Sequence, residues 1–201
     1  MLIIGLTGPT GSGKSRFAAH IAAAGIPVID TDLLAREVVE PGTPCLTELT
    51  ETFSSDILFP DGSLDRRKLA EIAFATVEGA ARLSAITHPR IIARTEEILN
   101  QLAGRGERLA VVEAPLLFES GLDHICSSTI AVTASKEQRL QRIQLRDNLT
   151  AEQAAARISV QSPSEYYAAH ADVTLDGGCD GEVFDRLCLA LIERIKGWVD
   201  E

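Results

Sequence analysis

The feature that most constrains this chain is a glycine-rich loop between a short apolar run and a helix-like segment. Leu2–Leu6 is apolar, residues 8–15 read GPTGSGKS, and Lys14–Ala24 has the composition of a helix. Glycines let the backbone take positive φ so that successive N–H groups face phosphate oxygens, and the following helix presents its positive end to the anion. This motif in this context predicts a nucleoside triphosphate site rather than a plain glycine-rich turn.

Each residue of the motif has an expected task. Lys14 is expected to reach the β- and γ-phosphates of ATP, and the Ser15 hydroxyl to ligate Mg²⁺. The groups expected to surround the phosphates belong to Gly11, Ser12, Gly13, Lys14, Ser15 and Arg16.

Further apolar runs predict an α/β fold with a parallel sheet flanked by helices, as in P-loop NTPases. Gly25 stands where the glycine after a helix belongs, and Pro27–Ile29 reads as a second strand. A strand, a helix and a strand within thirty residues form a βαβ unit with a right-handed crossover. Further elements are predicted as strands at Leu109–Val112, Thr129–Thr133 and Val173–Leu175, and as a closing amphipathic helix at Glu182–Val199.

The stretch between the second and third strands is helical in pattern. One helix is predicted from the spacing of apolar residues between 64 and 74, and a second over about Val77–Ile86. Pro89 suits the first turn of a third helix. We therefore expect one domain over residues 1–201 with a helical insertion at 60–105, which either receives a substrate or only packs against a face of the sheet.

Charge and cysteine content narrow the possible partners. The 201 residues include 19 Lys and Arg against 29 Asp and Glu, a net charge of −10. This balance argues against nucleic acid or an anionic membrane as a partner, so a polyanionic ligand needs a local basic pocket. The four cysteines lack metal-ligand spacing, residues 1–6 do not have the basic and longer apolar regions typical of a signal peptide, and no apolar stretch approaches ~20 residues. We expect reduced thiols in a soluble, cytoplasmic protein.

The motifs of other triphosphate-binding classes are missing. Neither the N-K-x-D nor the D-x-x-G pattern of regulatory GTPases occurs, and the strand Leu109–Val112 runs into Glu113 rather than an Asp-Glu pair. Kinases of small metabolites are therefore the leading class. Two alternatives stay open: a nucleoside monophosphate kinase, and an ATP-binding regulatory protein with slow hydrolysis.

Two carboxylates follow the second predicted strand directly, Asp30 and Asp32. If the segment is extended, residues two apart point the same way, and both carboxylates face one spot beyond the carboxyl ends of the strands. There a carboxylate can accept the proton of an attacking hydroxyl. Asp32 could instead be the N-cap of the helix that follows.

A cationic helical hairpin is predicted over 135–162. Its first helix carries Lys136, Arg139, Arg142 and Arg146. The three arginines lie within ~60° of one another on a helical wheel. A capping box at residues 150–153 begins a second helix, which carries Arg157 and leads to Gln161. The hairpin suits a lid that closes over the triphosphate and stabilises developing charge; a solvated basic face is the alternative.

Together these motifs resemble those of the dephospho-coenzyme A kinase family over nearly the whole chain. The shared segments are LTGPTGSGKS at 6–15, VIDTD at 28–32, AR at 35–36, VEPG at 39–42, DG at 61–62, DR at 65–66, HP at 88–89, PLLFE at 115–119, Arg142, RD at 146–147, RI at 157–158, Gln161 and AD at 171–172. The loop is common to many NTPases, whereas this ordered set is far more specific.

The resemblance implies transfer of the γ-phosphoryl group of ATP to the ribose 3′-hydroxyl of dephospho-CoA, the last step of coenzyme A synthesis. It implies that Asp32 is the base and that the helical insertion receives the substrate. Arg66, His88 and Glu119 are expected near that substrate. Arg142 and Arg146 are expected to stabilise the charge on the transferring group, with Arg157 as a further lid contact to ATP.

Some positions depart from the usual family pattern. Pro9 and Thr10 stand where Gly-Ile is common, and Pro9 has no N–H to donate to a phosphate. Arg16 replaces a common Thr, Arg139 stands where Gln is frequent, and Gly177 replaces Asn. None of these positions is Lys14, Ser15 or Asp32, so they bear on nucleotide affinity more than on the type of reaction.

Overall fold

The computed structural model describes residues 1–199. It contains a five-stranded parallel sheet. The strands are β1 Leu2–Thr7, β2 Val28–Asp30, β3 Leu109–Glu113, β4 Ser128–Thr133 and β5 Val173–Asp176, in the order β2-β3-β1-β4-β5. The predicted α/β fold with a parallel sheet is therefore confirmed.

The central strand β1 pairs on both sides. Leu6 lies opposite Glu113 of β3 and opposite Ile130 of β4, so the carboxyl ends of the three strands meet at one edge. All five residues of β3 are buried, which explains why it reads as a continuous apolar run ending in one acid. This register brings Glu113 beside the start of the glycine-rich loop.

The chain divides into two compact units, which we call the sheet unit (Met1–Ile29 and Leu102 onward) and the helical unit (Asp30–Gln101). The helices are α1 Lys14–Ala23, α2 Thr31–Glu37, α3 Pro44–Phe53, α4 Arg66–Ala73, α5 Val77–Gly104, α6 Lys136–Asp147, α7 Ala151–Ser159, α8 Ser164–His170 and α9 Gly181–Gly197, with 3₁₀ turns at Ser55–Ile57 and Leu122–Ile125. In the sheet unit, α1 and α9 cover the buried strands, with Phe17, Ile21, Phe184 and Ile192 in the shared core.

The helical unit has its own apolar core. That core is formed by Val39, Cys45, Leu49, Ile57, Leu69, Ala73 and Ile86. Most of the segment 60–105, expected as a helical insertion, belongs to this unit. Separate cores make each unit a packed body in its own right.

One prediction for this region is wrong. Instead of two helices separated near Pro89, α5 is a single 28-residue helix with Pro89 in its interior. Proline removes the backbone donor for the Ala85 carbonyl four residues earlier and crowds that turn, and nearby side chains donate to other carbonyls of the same segment. Arg90 Nη1 donates to the Ile86 carbonyl at 2.6 Å, and Thr87 Oγ1 donates to the Leu83 carbonyl at 2.9 Å. Packing of Ile86 in the core and burial of Leu99 hold the segments on both sides of Pro89.

The four cysteines are free thiols, as predicted. Burial raises the pKa of Cys126 and of Cys188 to about 12 in each case. Within residues 1–199, no helix combines the length and the apolar character needed to cross a bilayer.

Candidate functional site

The glycine-rich loop, Gly8–Ser15, connects β1 to α1 and is called the phosphate loop below. Gly8 has φ +140°, and a Cβ there would lie 2.1 Å from the backbone oxygen of Val132. Gly11 has φ +80°, and a Cβ there would lie 3.0 Å from the Arg139 carbonyl oxygen. Only glycine combines this conformation with such close approach to neighbouring backbone, so the loop lies tightly between β4 and α6.

The phosphate loop fits an anion. At its N-cap, Gly13, α1 has no side-chain cap hydrogen bond, and the first turn of the helix contains no acid, so the positive helix end faces the loop. The Ser12 hydroxyl is buried and has no hydrogen-bond partner among these residues. An orphaned buried hydroxyl and uncapped amides are the groups that a phosphate would satisfy.

Lys14 forms an ion pair with Glu113. Its Nζ lies 2.5 Å from Glu113 Oε1, and the two side chains are 13% and 12% exposed. Sequence reasoning treated Glu113 only as the end of a strand. The signal that could have found it is a single acid at the carboxyl end of an apolar strand in a chain with a phosphate loop.

Two arginines of α6 hold the phosphate loop from its outer side. Arg139, 2% exposed, donates from Nε to the Thr10 carbonyl at 2.9 Å. Arg142 Nη1 donates to the carbonyls of Gly11 at 3.1 Å and Ser12 at 3.2 Å, and its Nη2 donates to Gly177 at 2.7 Å. Three successive loop carbonyls therefore accept from guanidinium groups, which orients those carbonyls toward α6.

Gln161 completes this outer contact. Its Oε1 accepts from the Thr10 backbone N–H at 3.0 Å and from Arg139 Nη2 at 3.4 Å. Burial is the main cause that lowers the pKa of Arg139 below its usual range. The family often has Gln at position 139. Here the buried Arg139 side chain of α6 supports the phosphate loop.

The three arginines predicted to share one face of a helix all lie in α6, but they contact different partners. Arg146 lies at the exposed end of α6, where Nε and Nη2 contact the Asp147 carboxylate at 2.7 and 2.8 Å. Arg157 of α7 contacts the same carboxylate at 2.5 Å. These guanidinium groups hold the pKa of Asp147 below its usual range, with Arg146 as the larger cause. Arg139 and Arg142 bind carbonyls of the phosphate loop, whereas Arg146 does not. Their similar positions on the helical wheel did not predict this difference.

The Arg16 side chain lies against α9. Its Nη2 contacts Asp185 at 2.7 Å, and the other oxygen of that carboxylate lies 2.7 Å from His20 Nε2. Arg16 and His20 hold the pKa of Asp185 below its usual range. Among the groups expected near the phosphates, Arg16 thus has its guanidinium engaged with Asp185.

Glu119, expected near the substrate, lies in the sheet unit. Its Oε1 accepts from the Ser162 hydroxyl at 3.2 Å. The neighbouring Phe118 packs edge-on to Tyr166, with ring centroids 6.3 Å apart. Burial raises the pKa of Tyr167 to about 12, and the negative charge of Glu119 adds to this.

In the helical unit, Asp32 has a different local structure from the one predicted. The segment is not extended after Asp30, because Asp30 is itself the N-cap of α2 and its Oδ1 accepts from the Asp32 N–H at 2.8 Å. Asp32 lies in the first turn of α2 and is exposed. The N-cap of α2 is therefore Asp30 and not Asp32. With Asp32 as the N-cap, the helix would begin at Leu33, two residues later than it does.

The other two residues expected near the substrate also lie in this unit. Arg66 is the first residue of α4, and its Nη2 donates to the Arg36 carbonyl at 3.4 Å. His88 is half-buried in α5, directly before Pro89.

Comparison with known proteins gives a consistent family. Residues 2–182 match the family model for dephospho-CoA kinase. The dephospho-CoA kinase of Anaeromyxobacter dehalogenans is 43% identical over 197 residues, 98% of this chain and 93% of that protein. The crystal structure of TT1252 from Thermus thermophilus has a TM-score of 0.82 at 34% identity, covering 96% of this chain and 97% of that one. The dephospho-CoA kinase from Campylobacter jejuni has a TM-score of 0.73 at 30% identity, covering 97% and 98%.

Proposed function

The chain belongs to the dephospho-CoA kinase family, and from this premise we propose that it transfers the γ-phosphoryl group of ATP to the ribose 3′-hydroxyl of dephospho-CoA, giving coenzyme A. One observation carries the proposal: a chain matched to this family over residues 2–182 contains a phosphate loop whose orphaned Ser12 hydroxyl and uncapped α1 fit a phosphate.

In the proposed complex, ATP lies with its β- and γ-phosphates in the phosphate loop. Backbone N–H groups of Gly11–Arg16 donate to the phosphate oxygens, and Lys14 exchanges its contact with Glu113 for them. The ion pair with Glu113 holds the Lys14 ammonium at the edge of the sheet until the nucleotide enters. Lys14 therefore needs little reorganisation on binding.

The Ser15 hydroxyl is the proposed protein ligand for Mg²⁺, since it is exposed in the first turn of α1. When bound, the ion supplies neutralisation of charge on the β- and γ-phosphates.

Asp32 is proposed to orient and deprotonate the acceptor. A bond forms between the ribose 3′-oxygen and the γ-phosphorus, the bond from that phosphorus to the β–γ bridging oxygen breaks, and the hydroxyl proton passes to the Asp32 carboxylate. The exposure of Asp32 and the capping of α2 by Asp30 support this role.

In the hairpin α6–α7, the arginines receive different proposed roles. Arg142 donates to loop carbonyls, which supports a positioning role in place of the charge-stabilising one expected from the sequence. Arg146 and Arg157 share Asp147 at the surface and are proposed to contact the phosphates in the closed, water-excluded state. The free thiols fit a reducing compartment, and we propose the cytoplasm.

The test is an acceptor panel. Purified protein is incubated with Mg-ATP and, separately, dephospho-CoA, AMP, CMP, UMP or shikimate, and ADP release is measured. We expect rapid ADP release with dephospho-CoA only, and ³¹P NMR should place the new monoester on the ribose 3′-oxygen. Lys14→Ala serves as the control for contaminating kinases.

Three results would contradict the proposal, and each favours one of the two alternatives. Faster turnover with a nucleoside monophosphate would indicate a nucleotide kinase. ATP hydrolysis that does not depend on the acceptor, or no turnover with any acceptor, would favour a regulatory ATP-binding protein.

A further inference from the structure

Two arginines of the helical unit, Arg36 and Arg66, lie close enough to repel each other, and neither is in an ion pair among the described residues. Arg66 Nη2 donates to the backbone carbonyl of Arg36 at 3.4 Å. Among residues 1–199, no carboxylate forms an ion pair with either guanidinium. By contrast, Arg67, Arg90 and Arg94 of the same unit each contact a glutamate within 3.1 Å.

The arrangement is electrostatically unfavourable as it stands. Desolvation, followed by the positive charge of Arg36, lowers the pKa of Arg66 below its usual range. Arg66 is also the first residue of α4, whose first turn reads Arg-Arg-Lys; the acid at this helix end is the N-cap Asp65, which accepts from the Lys68 N–H at 2.9 Å. Cations at this end of a helix are repelled by the helix dipole. Asp65 offsets part of the dipole effect, whereas an anion close to both guanidinium groups would relieve the repulsion between Arg36 and Arg66.

We propose that Arg36 and Arg66 bind the diphosphate bridge of the acceptor. Two adjacent forked donors match the oxygens of a diphosphate diester, which guanidinium groups recognise through paired charge-assisted hydrogen bonds. This inference rests on the proposed function, because that function supplies an acceptor with a nucleoside 5′-diphosphate in its middle.

The spacing along α2 agrees with this assignment. Asp32 and Arg36 are four residues apart in α2 and lie on the same face, separated by about 6 Å along the helix axis. This separation is comparable to the distance from the 3′-hydroxyl of a nucleoside to its own 5′-phosphate. With the ribose 3′-hydroxyl at Asp32, the 5′-diphosphate therefore reaches the level of Arg36.

The experiment measures ligand binding to Arg36→Gln, Arg66→Gln and a matched control, Arg67→Gln. Arg67 lies in the same turn of α4, and its side chain is 90% exposed, so the control makes the same change of charge. Dissociation constants for dephospho-CoA, adenosine and ATP are measured by calorimetry, and thermal unfolding verifies that each variant is folded. Arg66→Lys keeps the charge but loses the fork.

We expect Arg36→Gln and Arg66→Gln each to weaken dephospho-CoA binding by about 10- to 100-fold, the loss of one charge-assisted donor group. Both Gln variants should bind adenosine and ATP as the parent protein does. Arg67→Gln should change the dissociation constant for dephospho-CoA by less than about threefold. For Arg66→Lys, the dissociation constant for dephospho-CoA should lie between those of the parent and of Arg66→Gln.

Equal losses for adenosine and dephospho-CoA, a loss confined to ATP, or parental affinity for dephospho-CoA in both Gln variants would overturn the inference. A parent protein that neither binds nor phosphorylates dephospho-CoA would instead refute the proposed function itself.

Discussion

Replacing Arg142 with alanine decides whether this side chain supports the phosphate loop or acts on the transferring phosphoryl group. Arg142 donates to the carbonyls of Gly11, Ser12 and Gly177 at 3.1, 3.2 and 2.7 Å. A hydrogen bond from a charged donor contributes about 1.5–3 kcal/mol to stability. Since Arg142 is half-buried and two of the contacts are long, we expect the variant to lose about 2–4 kcal/mol in its free energy of unfolding.

The effect on the reaction follows from where these contacts lie. Two of the three hold the phosphate loop, so a loop penalty of about 1.4–2.8 kcal/mol should raise the ATP dissociation constant by about 10- to 100-fold. The value of kcat at saturating ATP should fall by less than about tenfold, because a support residue acts mainly before the chemical step. Arg142→Lys, which offers no planar fork, should recover part of the stability.

The measurements are urea unfolding, calorimetric titration with ATP and steady-state kinetics with dephospho-CoA. Gln141→Ala is the matched control, because Gln141 is exposed on the same helix. Parental stability and ATP affinity in Arg142→Ala, together with a fall in kcat of about 100-fold or more, would refute the reasoning and restore a direct catalytic contact.

Three further predictions test other parts of the site. Asp32→Asn should lower kcat by about 10²- to 10⁴-fold, the range for loss of a general base, with a near-parental ATP dissociation constant; an unchanged kcat would exclude Asp32 as the base. Lys14→Ala should weaken ATP binding, measured by calorimetry, because the variant lacks the ammonium expected to contact the β- and γ-phosphates; equal ATP affinity in the variant would contradict the assignment of the loop. Asp172 accepts from the Thr129 N–H and hydroxyl, and these bonds lower the pKa of its carboxyl. The stabilisation from Asp172 is therefore present above the unfolded pKa near 4 and lost as pH falls through the lower folded pKa. In urea unfolding, the free energy of unfolding should fall less between pH 7 and pH 3 in Asp172→Asn than in the parent. Equal losses in the two proteins would disprove the linkage.

Local patterns were sufficient where neighbouring residues settle the structure. Gly25 follows α1 with φ +79°, as the position of a glycine after a helix predicts. The capping box at Thr150 and Gln153 has both of its reciprocal hydrogen bonds. Strands β3 and β4 begin and end within one residue of their predicted bounds, because buried parallel strands read as uninterrupted apolar runs.

The same local rules failed where a competing contact outweighed them. Pro89 predicted a helix start, but core packing around Ile86 keeps α5 continuous through it. Asp32 was a reasonable N-cap from its neighbours, yet Asp30 takes that position, and the carboxylate of Asp32 is left exposed in the first turn. The local preference amounts to a few kcal/mol at most in both cases. Core packing outweighs the preference of Pro89 for a helix start, and capping by Asp30 outweighs that of Asp32 for the N-cap position.

The sequence by itself determined the phosphate loop, the parallel sheet that supports it and the family, because these depend on residues adjacent in the chain or on an ordered set of motifs. Only the tertiary structure decided what the charged side chains contact. Lys14 and Glu113 are 99 positions apart, Thr10 and Gln161 are 151 apart, and both pairs meet at the phosphate loop. Long side chains reach whichever acceptor packing brings near, so helical spacing alone could not distinguish the arginines that support the loop from those that share Asp147 at the surface.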